Sequence, residues 1–362
     1  MRMIIFGVAA ALIALAVYML SNLIPAAGVF TKLEPRLVKQ CTPLKIFPGT
    51  EDVTIDPETN IAFVSSYDWR AEMAGHPTPG GVYAFNVETH DHAWKVSPDD
   101  LADFQPHGLS LWRGANGEKR LFVINHASGG AQKVEIFDVG GDGALTHVDS
   151  VAFDEMNSPN DILAVGPRQF YVTNDRRFKG GVMAALELWF ALPFSNVAYY
   201  DGENGRVVTK GLVFANGINI ARDGSKVYVS EFLRQRVDIF AREAENSALT
   251  LLKTIKVPMG PDNIEVSKDG GLWVAGHPKV FKFIKHAKDA SAIAPSEVMR
   301  IDPRTGDAVP VFVDTTGALN ASSVGAAWDH TLIVGSVFDD HVMVCPMLSI
   351  LLNGQDDSQS GL

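Results

Sequence analysis

The sequence predicts an all-β chain closed as a six-bladed β-propeller, with an apolar helix at the amino terminus and a short lid helix. Three observations lead there. Six times, a polar residue opens a short apolar run, a turn follows, and a second run of β-branched and aromatic residues comes after it. The copies recur at intervals of roughly 45 to 60 residues, the spacing of a radial repeat. Asp-Gly and Gly-Pro pairs lie between the runs, as antiparallel hairpins require. A propeller closes such a repeat and leaves only short, protected edges.

The chain begins differently. After Arg2, residues 3–24 form an almost uncharged apolar stretch, long enough for a membrane-spanning helix and longer than a usual signal-peptide core. It suits a retained signal-anchor over residues 1–30 better than a signal cleaved near Ala26-Ala27-Gly28. Either way the domain that follows is expected to be exported and membrane-anchored or secreted. Residues 31–346 hold the repeat, and 347–362 form a tail without a pattern.

Within the repeat, Glu51-Asp52 leads into 61–66, His107-Gly108-Leu109 into 121–126, and Asn160-Asp161 into 170–173. Asn216-Gly217-Ile218 leads into 227–230, Asp262-Asn263-Ile264 into 272–275, and Ser322-Ser323-Val324 into 332–335. A third run closes each unit at 82–85, 134–137, 197–200, 237–240, 280–283 and 342–345. If the first strand of each blade is innermost, its opening residue lies at one mouth of the central shaft. The second strand runs back antiparallel and ends at the same mouth. Glu51, His107, Asn160, Asn216 and Asp262/Asn263 then ring one cavity, and His126 comes up beside His107.

Oxygen donors without clustered cysteines suit calcium, which accepts six to eight carboxylate, amide and carbonyl oxygens. Glu51, Asn160, Asn216, Asp262 and Asn263 are the candidate ligands. Zinc would want more nitrogen or sulfur than two histidines supply. Neighbouring strand residues point to opposite faces, so Asp52 and Asp161 would hold a second ion deeper in the shaft, with the Leu109 carbonyl. The same rule separates Asp262 from Asn263, and both reach one ion only if the backbone is irregular there. Any single Asp or Asn before a strand equally makes an Asx-turn; five such slots out of six make the case for a cation.

His107 is the candidate base, because a neutral imidazole takes a proton from water near physiological pH. His126 beside it would fix the tautomer. His277, Asp175 and Phe214 are candidates for substrate contact, with Asn174 and Glu231 on the same rim. The apolar run 182–192 reads as a lid or membrane-resting helix over the mouth, or else as a helix buried between blades. A net charge of −11 disfavours a nucleic-acid partner. The two cysteines, Cys41 and Cys345, lie before the first blade and at the end of the last. They would meet if an amino-terminal strand completes the final blade, and otherwise are two free thiols. Asn320 heads the one glycosylation sequon.

Pro106-His107-Gly108-Leu109-Ser110, Asn160-Asp161-Ile162 with Thr173-Asn174-Asp175, Phe214-Ala215-Asn216-Gly217-Ile218-Asn219, and Asp262-Asn263-Ile264 with Gly276-His277-Pro278 resemble the serum paraoxonase/arylesterase family, in order, from about Cys41 to Cys345. The resemblance implies a six-bladed propeller with two calcium ions. The catalytic ion would take Glu51, Asn160, Asn216, Asp262 and Asn263, and the structural ion Asp52, Asp161 and the Leu109 carbonyl. It further implies a His107–His126 dyad and a Cys41–Cys345 disulfide. The implied activity is hydrolysis of lactones, with aryl esters and organophosphates as further substrates. Residues 67–80 depart from the family's mobile active-site loop. A gluconolactonase- or phosphotriesterase-type calcium propeller is the enzyme alternative, and a membrane-held, non-catalytic scaffold the other.

Overall fold

The computed structural model describes residues 27–347 except 102, together with 6, 7, 13, 15–17, 20, 21 and 24. Six four-stranded antiparallel sheets are arranged in a ring. Blade I holds Thr50–Asp56, Ile61–Ser66, Gly81–Asn86 and Trp94–Lys95, and blade II Pro106–Arg113, Lys119–Asn125, Lys133–Val139 and Leu145–Val151. Blade III holds Pro159–Ala164, Phe170–Asn174, Ser195–Tyr200 and Gly205–Leu212, and blade IV Ala215–Ile220, Lys226–Glu231, Arg236–Arg242 and Leu249–Lys256. Blade V holds Gly260–Val266, Leu272–His277, Ser296–Ile301 and Ala308–Asp314. Blade VI combines Ser322–Trp328, Thr331–Ser336 and His341–Pro346 with Thr42–Lys45 from the start of the chain.

The first strands of neighbouring blades pack against one another all the way round, so they line the shaft. Each blade is covered on both faces by its neighbours, which is why inner strands such as Ile61–Ser66 are buried at every position rather than at alternate ones. One core cluster joins Phe122, Ile124 and Ile136 of blade II to Ile162, Phe170 and Val172 of blade III. Full burial of each such phenylalanine contributes about 2 kcal/mol.

Closure is covalent as well. Thr42–Lys45 pairs with His341–Pro346, and Cys41 is disulfide-bonded to Cys345 with the Cα atoms 4.1 Å apart. The pairing of the first and last segments is therefore what completes blade VI.

Three helices lie near the mouth: α1 (Trp69–Met73), α2 (Gly181–Trp189) and α3 (Val280–Lys288). The third corrects the strand expected at 280–283. Phe283 and Ala287 turn inward together, against Phe338, while Phe281 and Ile284 are exposed. That spacing is a helical period, which the short apolar run concealed. The third strand of blade V is Ser296–Ile301 instead.

The anchor expected at 3–24 lies largely outside the described residues, as does the tail from 348 on. No helix of the described residues is long and apolar enough to cross a membrane. The chain after it is held at the mouth, where Lys279 Nζ donates to the carbonyls of Gly28, Val29 and Thr31 at 2.6, 3.2 and 2.5 Å. The Asn320 amide is tied into the fold, accepting from the Ala294 amide and donating to Gly317 and Asp339.

Candidate functional site

Every first strand breaks register as it leaves the mouth. The breaks fall between Thr50 and Asp52, Pro106 and Leu109, Pro159 and Ile162, Ala215 and Ile218, Pro261 and Ile264, and Ser322 and Gly325. These are β-bulges, which re-aim side chains that a regular strand would send to opposite faces. The irregular backbone needed at Asp262 and Asn263 is therefore present, and it is present in all six blades. Two glycines in the bulges allow the inner strands to meet. A Cβ on Gly108 would lie 2.6 Å from the Asp161 Cα, and one on Gly217 would lie 2.6 Å from the Asn263 Cα.

The mouth opens into a cavity of about 850 Å³. Glu51, His107, His126, Asn160, Asn216 and Asp262 line it, with Asp175, Phe214 and His277. Glu51 Oε2, Asn160 Oδ1, Asn216 Oδ1 and Asn263 Oδ1 are buried and accept no hydrogen bond among the described residues. The neighbours account for their orientation. Asn263 Nδ2 lies 3.1 Å from Glu51 Oε1, which turns the amide oxygen the other way. His277 Nε2 lies 3.0 Å from Asp262 Oδ2, with the imidazole packed 4.0 Å from Phe283. In the sixth slot Ser323 Oγ donates to the Glu51 carbonyl at 2.5 Å, fixing the backbone of that ligand.

Burial pushes Glu51 well above the usual carboxylate range, and the nearby Asp262, Asp52 and Asp161 push it the same way. Buried carboxylates this close repel one another unless a cation lies among them. Four unpartnered oxygens and this repulsion both fit a hard divalent ion. Among the described residues no three His, Cys, Asp or Glu side chains converge as a metal site; the convergence here is mostly of amide oxygens.

Deeper in the shaft is a second cavity of about 110 Å³, lined by Asp52, Leu109, Asp161, Asn219 and Glu265. Asp52 accepts from the amides of Val53 and Leu109, each at 2.8 Å, and Asp161 from those of Ile162 and Ile218, each at 2.7 Å. Each aspartate thus stitches its own blade to the next. Burial raises Asp52 to about 7 despite those bonds. Glu265, a third acid on this cavity, was not singled out from the sequence, since it carries no motif.

His107 and His126 meet as expected, with His126 Nε2 2.9 Å from His107 Nδ1. Gln132, which no sequence signal marked, sets their protonation. Its Nε2 donates to the Gly130 carbonyl, and its Oε1 lies 2.5 Å from His126 Nδ1. An amide oxygen only accepts, so His126 Nδ1 carries a proton. In the neutral ring His126 Nε2 is then an acceptor, and His107 Nδ1–H donates to it. His107 Nε2 is left with a free lone pair, 3.6 Å from Glu51 Oε1. Burial first, then the His126 and Arg176 charges, holds His107 well below its ordinary pKa.

Within 67–80, residues 67–72 form a braced wall, while 72–79 are exposed. Trp69 packs edge-on against the rings of His107 and His126 at 5.3 and 5.8 Å. Asp68 caps α1 by accepting from the Ala71 amide, Tyr67 donates to Glu72, and Arg70 reaches His286 on α3 at 2.7 Å. Helix α2 contributes Leu188 and Trp189 to the cavity while Val182, Met183 and Leu186 are exposed, so it lies over the mouth and is not buried between blades. Two rim candidates turn elsewhere. Asn174 is buried against Asn196 and Glu155, and Glu231 is locked to Arg234, Arg236 and the Val213 amide. Both brace their blades because a strand-end acid or amide also satisfies the next loop.

Comparison with known proteins places residues 37–347 in the Arylesterase family model. The chain is similar to serum paraoxonase/arylesterase 2 of Gallus gallus, 31% identical with 92% of this chain and 95% of that one covered. It is likewise 31% identical to serum paraoxonase/arylesterase 1 of Homo sapiens over 85% of this chain and 89% of the relative. A solved luciferin-regenerating enzyme shares the fold at a TM-score of 0.56 and 13% identity, covering 88% of this chain and 96% of that one.

Proposed function

The chain belongs to the arylesterase family and is a hydrolase of the lactonase/esterase kind; from that premise we propose that it cleaves lactones and aryl esters, and organophosphate triesters as side substrates, with calcium at the mouth of the shaft. The observation that carries this reading is the set of four buried, unpartnered oxygens on Glu51, Asn160, Asn216 and Asn263 beside the free Nε2 of His107. With Asp262 they would hold the ion. When bound, it supplies Lewis-acid polarisation of the carbonyl and electrostatic stabilisation of charge developing on its oxygen. A second calcium would sit between Asp52, Asp161 and the Leu109 carbonyl, where its role is to hold blades together.

The protein's own groups do the rest. His107 Nε2 takes a proton from the attacking water, and His107 Nδ1–H, bonded to His126, spreads the resulting charge over the pair. Gln132 keeps His126 in the tautomer that leaves this lone pair free. His277 holds Asp262 in place. The apolar wall of Trp69, Phe214 and Trp189 excludes bulk water and takes up the acyl or aryl part of the substrate. Proton transfer and water attack suffice for hydrolysis without a covalent intermediate.

The exposed apolar residues of α2, with Phe281 and Ile284 of α3, surround the mouth. Lys279 holds Gly28 and Thr31, a few residues after the 3–24 segment, at that same rim. Both features support a lipid or membrane surface as the place of work, and the disulfide suits an oxidising, exported setting. The experiment is lactone hydrolysis with and without chelator, repeated on His107→Gln. Activity that persists after calcium is shown to be gone sinks the mechanism. A folded, calcium-loaded protein inert to every lactone and ester leaves the scaffold reading.

A further inference from the structure

Arg176 is the one lysine or arginine lining the catalytic cavity among the described residues. The rest of the lining is apolar, neutral polar, histidine or acidic. The guanidinium is anchored along one edge only. Nε and Nη2 donate to Asp175 Oδ1 and Oδ2 at 3.0 and 2.9 Å. Asp175 is itself fixed, buried to 7% side-chain exposure and bonded by Ser158 Oγ at 2.5 Å. The Phe214 ring lies 5.9 Å away. The Nη1 edge makes no hydrogen bond among the described residues, and a third of the side chain is exposed, 34%.

A guanidinium carries five donors in a rigid fork. Asp175 engages two, which sets the plane of the group and leaves the Nη1 side for a ligand. Beside the buried Asp175 and the cavity's Phe214 and Phe232, a charge-assisted bond is stronger than the same bond in bulk water. Resting on the esterase reading above, we propose that Arg176 is a specificity-determining residue that binds an anionic substituent, so that the preferred substrates are esters or lactones bearing a carboxylate away from the scissile carbonyl. Charge complementarity supports the assignment. Glu51, Glu72, Asp175 and Asp262 on the cavity lining would repel such a substrate, and Arg176 is the one lysine or arginine on that lining; the nearby Lys279 and Lys179 are directed to backbone carbonyls.

The test compares two esters with one leaving group, 4-nitrophenyl hexanoate and the mono-4-nitrophenyl ester of hexanedioic acid, on the calcium-loaded full chain. The quantity read is the ratio of kcat/KM for the acid ester to that for the neutral one. In Arg176→Gln the ratio is expected to fall about tenfold or more, chiefly through KM of the acid ester. Arg176→Lys keeps a charge but not the fork, and should fall by about threefold. Losses that are equal for both esters, leaving the ratio unchanged, overturn the proposal and make Arg176 a support for Asp175. If the Gln variant fails to melt cooperatively, the Lys variant alone decides by the same ratio. A wild-type protein that cleaves neither ester refutes the hydrolase reading itself, a result distinct from an unchanged ratio.

Discussion

Asn263 Nδ2 lies 3.1 Å from Glu51 Oε1, although the two residues are 212 positions apart. The contact joins blade V to blade I and uses the Asn263 amide donor on Glu51 Oε1, leaving Asn263 Oδ1 and Glu51 Oε2 unpartnered. Removing calcium should therefore unmask repulsion between Glu51, Asp262, Asp52 and Asp161. Dialysis against a chelator is expected to lower the melting temperature and abolish ester hydrolysis, both restored by calcium. Glu51→Gln should weaken calcium binding about tenfold or more in a calorimetric titration. An unchanged affinity removes Glu51 from the ligand set.

The Gln132–His126–His107 chain makes a graded prediction. His107→Gln should lower kcat by about 10²- to 10⁴-fold, the usual contribution of a general base. Gln132→Leu frees the His126 tautomer and should lower kcat by about tenfold with KM little changed. Equal rates for Gln132→Leu and wild type would show that the tautomer is held by something else.

Activity should also titrate on the acid side. His107 acts as a base only when neutral, and burial lowers its pKa well below 6.5. The profile of kcat/KM is expected to be flat through neutrality and to fall only as the pH drops through that lowered value. A midpoint at or above 6.5 would falsify the assignment of His107 as the titrating base.

Glu297 offers a test of stability that leaves the site alone. It is buried with Oε2 unpartnered, and burial raises its pKa from 4.5 to about 7, against the opposing charge of Arg36. The native state then keeps a proton that the unfolded chain releases. The resulting stability is complete below pH 4.5 and is lost as the pH rises through about 7. Glu297→Gln should match wild type near pH 4.5 and melt higher by about 2 °C or more at pH 8. Scanning calorimetry at the two pH values checks it.

The bulge glycines and the disulfide address closure. Gly108→Ala or Gly217→Ala forces apart inner strands that meet at 2.6 Å from the added carbon, and should destabilise by about 1–3 kcal/mol in denaturant titrations. Reducing Cys41–Cys345 opens a loop of 304 residues. It should lower stability by up to about 6 kcal/mol on the chain-entropy estimate. A Cys41→Ser variant with unchanged melting would mean that the pairing of Thr42–Lys45 alone closes the ring.

Several of these features were legible in the sequence because their causes are local. Alternating apolar runs and turn residues recur with one period, and that period alone places Glu51, His107, Asn160, Asn216 and Asp262 at equivalent points of five of the six blades. The residues alone left Cys41 and Cys345 either paired or free, the resemblance implied the pairing, and the structure shows the disulfide. A run of four apolar-rich residues at 280–283 has no local property that separates strand from helix, and there the structure decided for α3.

The sequence by itself determined the propeller, its six blades and the polar ring, since each is a repeated choice made within a few neighbouring residues. Only the tertiary structure decided the register break at Asp262 and Asn263, the Gln132 contact at the histidine pair, the burial of Glu231 against Arg234 and Arg236, and the open edge of Arg176 in the cavity. Each of these depends on burial and on side-chain geometry that exists only once the blades are formed, even where the partners are close in sequence, as in Gln132–His126 and Arg176–Asp175. Hydrogen-bond satisfaction in a water-poor interior is a property of the closed ring as a whole, and no local stretch of sequence contains it.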